Sequence, residues 1–211
     1  MDYALNRLVA FGCSYTYGSG LPDCYLDSSF PTGPDPSTHA WPALTASELK
    51  LDVVNKGRPG ASNLRILNEI LNFDFNNEDT VIVLWSYYHR DTIFYPNKTL
   101  EIKHWLDDDI VKNFYEVHND YDLIIKTLLH IHHADMFFQQ KNIKALHLIK
   151  SYKEETTMKN LLHSKKLKWF DTKHDLMILE YIDFGLDKIH PGLKTHMLMS
   201  KIILNKLQET K

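Results

Sequence analysis

Arg7-Leu8-Val9-Ala10-Phe11-Gly12-Cys13-Ser14-Tyr15-Thr16-Tyr17-Gly18 is the stretch on which the fold reading turns. An apolar run stops abruptly at glycine and small polar residues, the pattern of a buried strand feeding a loop. The pattern then returns. Residues 51–55 read as a second short strand, closed by Gly57, Pro59 and Gly60. Residues 80–85 read as a third, a continuous apolar run of the kind that parallel sheets bury on both faces. Helical patterns fill the intervals. Residues 41–51 start with Pro42 in the first turn. Residues 62–73 have Ser62 as cap and Leu64, Leu67, Ile70 and Leu71 on one stripe. A long helix over 121–140, a strand over 143–149 and a final amphipathic helix over 192–207 follow, the last with Leu193, Met197, Ile203, Leu204 and Leu207 inward. This alternation predicts an α/β fold, a three-layer sandwich with a central parallel sheet. One domain over residues 1–211 is expected, with insertions near 92–118 and 150–186. Arg90 to Phe94 reads as loop, and 150–175 as a helix and an exposed loop.

Composition narrows the function. The chain has 211 residues, 44% of them hydrophobic and 24% charged, which excludes bulk disorder. A net charge of −3 excludes a general basic footprint, so no nucleic-acid partner is expected. Two cysteines cannot make a disulfide scaffold or a four-thiolate zinc site. No apolar run approaches the ~20 residues that span a bilayer, so no membrane partner is expected. The stretch Leu8 to Cys13 is too short for a signal core, and a cytoplasmic location is expected. His130, His132 and His133 read as a solvated helix face, and Asp107 to Asp109 as a solvated turn, so no metal or other cofactor is implied. Oligomeric state is not legible.

In open α/β sheets, sites lie beyond the carboxyl ends of the strands. Ser14 sits there, where a hydroxyl becomes a nucleophile if a base takes its proton. Neighbours on a strand point to opposite faces, so Cys13 is expected in the core. Near the other end, Asp187-Lys188-Ile189-His190-Pro191-Gly192 puts a carboxylate and an imidazole on one face of a turn. Asp187 can orient the ring through one nitrogen and leave the other to accept a proton. The loop Asn55 to Asn63 precedes a helix and offers backbone N–H groups to an oxyanion.

Together these segments resemble the SGNH (GDSL-type) hydrolase superfamily, over roughly residues 7–91, 143–150 and 187–207. The Gly-Asp-Ser-like block looks like Gly12-Cys13-Ser14, with Cys13 where Asp is usual. Gly57 matches the glycine of the second block, and Asp187 with His190 match the final D-x-x-H. The resemblance implies a flavodoxin-like fold and a Ser14–His190–Asp187 triad, with an oxyanion hole formed by the N–H groups of Ser14 and Gly57. The opening Phe11 to Gly18 looks like phage-encoded or bacterial members. One block departs: the family's Gly-x-Asn-Asp is absent, and Tyr87 falls where its Asn would sit. Ser86, Tyr87, Arg90 and Asn63 are the candidates for a third donor or a pocket wall. The implied activity is ester hydrolysis, by an esterase or O-deacetylase, with a small-molecule or glycan ester as substrate. The alternatives are an acyltransferase on the same site and a catalytically weak or inactive glycan- or protein-binding module.

Overall fold

The computed structural model describes residues 6–28, 32–151, 175–178 and 181–209. The expected helix and loop over 150–175, and most of the insertion at 150–186, lie outside the described residues.

Among the described residues, five strands form one parallel sheet: β1 (Arg7–Gly12), β2 (Asp52–Gly57), β3 (Thr80–Trp85), β6 (Ala145–Ser151) and β7 (Asp175–Ile178). Their order is β2-β1-β3-β6-β7. This is the flavodoxin-like order, in which the chain first steps to one side of β1 and then returns to the other. Val9 is in register with Val54 on one side and Val81 on the other. Central position explains composition: Leu8, Val9 and Ala10 of β1 and Ile82, Val83 and Leu84 of β3 are wholly buried.

Right-handed crossovers that move in opposite directions must pass over opposite faces of the sheet. On one face, α2 (Trp41–Leu49) packs against the terminal helix α6 (Leu193–Glu209). A Thr45–Ser200 hydroxyl pair at 2.9 Å and a bond from the Trp41 N–H to His196 Nδ1 at 3.1 Å join them. On the other face, α3 (Asn63–Leu71) packs against α5 (Asp120–Gln140). The three-layer α/β/α sandwich is therefore as the alternation implied. Ser62 caps α3 by accepting from the Arg65 N–H, and Asn119 caps α5.

Two helical stripes are rotated from the expected ones. In α3 the buried positions are Ile66, Leu67 and Ile70, while Leu71 is exposed. In α6, Leu193 and Met197 are 40% and 57% exposed, and Thr195, His196, Met199, Ser200 and Ile203 face inward. The cause is at the start of the helix. The Asp183 carboxylate accepts from the Lys194 and Thr195 N–H groups and from the Thr195 hydroxyl, which turns small polar residues toward the body of the protein.

The segment 86–118 holds elements that its sequence does not announce. Here β4 (Asp91–Tyr95) and β5 (Lys98–Ile102) form a two-stranded hairpin around Pro96 and Asn97, in place of the expected loop at Arg90 to Phe94. Only Thr92 and Ile102 are buried, so the period-2 signal is weak. A helix α4 (Asp109–Val117) follows, and Asp108 accepts from the Ile110 N–H at 2.8 Å. Asp107 to Asp109 are solvent-exposed as expected, and Asp108 is in addition the cap of a helix that starts at Asp109.

Candidate active site

Ser14 opens α1 (Ser14–Tyr17), a single helical turn that begins as soon as β1 ends. The Cys13 carbonyl accepts from the N–H groups of Thr16 and Tyr17, both at 3.0 Å. Gly18 closes the turn with a left-handed φ of 88°. Ser14 is only 5% exposed, more enclosed than an exposed loop position would be. Cys13 and Cys24 are buried as thiols.

The Asp187 to His190 turn is held from within. Asp187 Oδ1 accepts from the N–H groups of Ile189 and His190, each at 3.0 Å. Asp187 Oδ2 lies 2.5 Å from His190 Nδ1. Burial alone would push the Asp187 carboxyl up. The two N–H groups and the imidazole outweigh it and hold the carboxyl below its ordinary value. The turn sits in a small closed loop: the Gly185 N–H donates to the His190 carbonyl and the Gly192 N–H to the Asp183 carbonyl.

This loop is joined to the serine turn. The Leu186 N–H donates to the Gly20 carbonyl at 2.8 Å. Gly20, at φ +83°, lies so close to the Asp187 carboxylate that a Cβ there would fall 2.7 Å from Oδ1. The ring of Tyr15, next to Ser14, meets the His190 ring edge-on at 5.8 Å. Residues 15–20 and the loop of Asp187 and His190 therefore converge beyond the carboxyl end of β1.

The second loop contributes backbone proximity. Gly57 is in register with Gly12, and a Cβ at Gly57 would fall 2.4 Å from the Tyr17 nitrogen. The Gly57 N–H, expected to be available for an oxyanion, donates to Asn55 Oδ1 at 2.9 Å. Asn55 in turn donates to the Thr16 carbonyl at 2.7 Å. Asn55 is a residue that sequence reasoning missed; its only signal was a polar side chain near the end of an apolar strand.

After β3, the candidates separate. Asn63 is 1% exposed and fully engaged. Its Nδ2 donates to the Ser86 carbonyl and Thr127 Oγ1, each at 3.1 Å, and its Oδ1 accepts from the Ser86 N–H at 2.6 Å. Asn63 is a latch between β3 and α3, which corrects its candidacy as a free donor. The Ser86 hydroxyl is buried and accepts from Arg90 Nη1 at 3.3 Å. The Tyr87 hydroxyl is 3.1 Å from that of Tyr15, which also bonds the Tyr181 hydroxyl. Arg90 lies over the rings of Tyr87 and Trp105, 5.0 Å from each centroid. Tyr15, Tyr181 and Gly20 were not singled out from the sequence.

Among the described residues, no group of three or more His, Cys, Asp or Glu side chains is gathered as a metal site, and no helix is long and apolar enough to cross a membrane. His130, expected on a solvated face, has its Nδ1 buried, and burial lowers its pKa.

No family model matches the sequence, and no curated protein matches it. Solved structures do. A carbohydrate esterase described as having divergent catalytic and non-catalytic binding functions at its active site aligns with a TM-score of 0.61 at 12% identity, over 96% of this chain and 68% of that one. An acetyl xylan esterase from the rumen bacterium Butyrivibrio proteoclasticus aligns at 0.60 and 16% identity, over 100% and 64%. A putative lipolytic protein of the G-D-S-L family from Desulfitobacterium hafniense aligns at 0.53 and 15% identity, over 95% and 98%. This chain thus spans about two thirds of the length of the carbohydrate esterases and nearly all of the lipolytic protein. The chain has the fold of the SGNH (GDSL-type) hydrolases.

Proposed function

We propose that this protein is a serine ester hydrolase, an esterase or O-deacetylase whose substrate is a small-molecule or glycan ester. The observation that carries the reading is the bonded junction between the turn of Ser14 and the loop of Asp187 and His190. Ser14 Oγ attacks the ester carbonyl as His190 Nε2 takes its proton. Asp187 holds the ring through Nδ1 and stabilises the imidazolium. The carbon–oxygen bond to the alcohol breaks as His190 returns the proton to the leaving oxygen. Water, deprotonated by the same imidazole, then releases the acyl group from Ser14. Transfer to another acceptor alcohol would follow the same steps.

The oxyanion falls to the Ser14 N–H and to the Gly57 N–H, and the latter reaches it only by leaving Asn55. Tyr87, in the place of the family's Asn, and Arg90 stand beside the same rim. An oxyanion donor is worth ~10²–10³ in rate, so a weak third donor would give a slow enzyme. That deficit, together with the engaged Gly57 N–H, is the ground for a second reading, a catalytically inactive glycan-binding module.

A fluorophosphonate probe separates the two. The hydrolase reading expects labelling of the wild-type protein and of Cys13→Ala, and none of Ser14→Ala. No labelling of folded wild-type protein removes the hydrolase and leaves the binding module.

A further inference from the structure

The hairpin delivers two cations to the rim. Asp91 pairs with Ile102 at the last rung of β4 and β5, so Arg90 and Lys103, one step beyond, leave the hairpin side by side. Like charges placed opposite each other in an antiparallel pair repel. No carboxylate among the described residues forms an ion pair with either one. The two acids closest in sequence are held by Thr92: Asp91 Oδ1 accepts from its N–H at 2.8 Å and Glu101 Oε2 from its hydroxyl at 3.0 Å.

Both cations are aimed and held. Lys103 reaches across to the loop that follows β2, where Nζ would lie 2.4 Å from a Cβ on Gly60. Burial holds the Lys103 ammonium below its ordinary value; Glu101 opposes this and Arg90 adds to it. The Arg90 guanidinium is braced by two aromatic rings and by Ser86, and its Nε is shielded from solvent without a hydrogen bond. Tyr87, one of those rings, bonds Tyr15, whose ring abuts His190. Trp105, the other ring, is 53% exposed and offers a flat apolar face beside the charges.

A planar fork and a point charge, both pre-positioned and without an ion-pair partner among the described residues, match the oxygens of a carboxylate or a phosphate. We propose that Arg90 and Lys103 form a subsite for an anionic group, carboxylate or phosphate, on the molecule processed at Ser14. The substrate class is then an acyl ester of an acidic compound, such as an acidic sugar, rather than of a neutral one. The subsite rests on the ester-hydrolase reading for its role in catalysis, and anion binding itself does not.

Calorimetric titration of the intact protein at constant ionic strength tests this, with glucuronate, glucose 6-phosphate and glucose as probes. Saturable binding of at least one anion and none of glucose is expected, and the stronger of the two identifies the group. Arg90→Gln and Lys103→Gln should each weaken that binding by about tenfold or more, as loss of a charged hydrogen-bond partner does. Lys103→Arg should retain most of it, and circular dichroism should show all three variants folded. No saturable anion binding by the wild-type protein, equal binding of glucose, or undiminished binding in both Gln variants overturns the subsite. Fluorophosphonate labelling is read separately. Anion binding without labelling keeps the subsite and removes the hydrolase; labelling without anion binding does the reverse.

Discussion

At the scale of single residues, the site is a set of hydrogen bonds that fix which atom can do what. Asp187 accepts two backbone N–H groups and the imidazole at once, so its charge is held where the ring needs it. Asp187→Asn keeps the volume but cannot hold the ring in the same tautomer. It should leave the fold intact and lower kcat by up to ~10⁴, measured on a chromogenic acetate ester. An unchanged kcat would take Asp187 out of the mechanism. Asn55 offers a second probe. Asn55→Ala frees the Gly57 N–H and removes the tie to the Thr16 carbonyl. If the freed N–H serves the oxyanion, kcat for the acetate ester should rise or hold while the melting temperature drops; a loss of kcat at an unchanged melting temperature would argue against that role. Ser14, Asp187 and His190 could be named as candidates from the sequence because their chemistry shows within a few neighbours. Asn55, Tyr181 and Lys103 could not, because each also meets a partner far along the chain: the Thr16 carbonyl, the Tyr15 hydroxyl and the loop at Gly60.

Among elements, the short turn α1 and the loop before α6 act as one unit through Gly20. Gly20→Ala would place a methyl group 2.7 Å from an Asp187 oxygen, at a φ of +83° that L-residues rarely adopt. It should destabilise the protein by more than ~1 kcal/mol in urea unfolding and cut esterase activity in the same variant. A variant with normal stability and activity would show that the two loops are independent. The sheet strands and main helices were legible because burial on both faces or along one stripe leaves a periodic trace. The hairpin of β4 and β5 was not, since Phe94 and Tyr95 face solvent and only one residue per strand is buried. The rotated face of α6 had the same kind of origin: its register follows the Asp183 carboxylate, a partner outside the helix.

Across the whole molecule, acid should loosen the α2–α6 layer first. His196 is wholly buried, and its Nδ1 accepts from the Trp41 N–H. Burial lowers its pKa from 6.5 to about 4, with Asp183 opposing and His190 assisting. A depressed pKa means that the unfolded chain takes up the proton first. The contribution is therefore complete above 6.5 and is lost as the pH falls toward about 4, amounting to roughly 3 kcal/mol. Asp183 and Asp187 act in the same direction at lower pH. Burial raises both, and hydrogen bonds from neighbouring N–H groups outweigh it and hold both carboxyls below 3.8. The melting temperature should fall between pH 7 and pH 4.5, and fall less in His196→Asn, whose amide oxygen can still accept from Trp41. Equal slopes would assign the acid sensitivity elsewhere.

The bond from Leu186 to Gly20 closes nearly the entire chain into one ring of contacts. During ribosomal synthesis the serine emerges well before the imidazole. On the proposed reading, a nascent chain stalled anywhere before His190 carries an inert hydroxyl, so hydrolytic activity arises only after the loop of Asp187 and His190 has docked on Gly20.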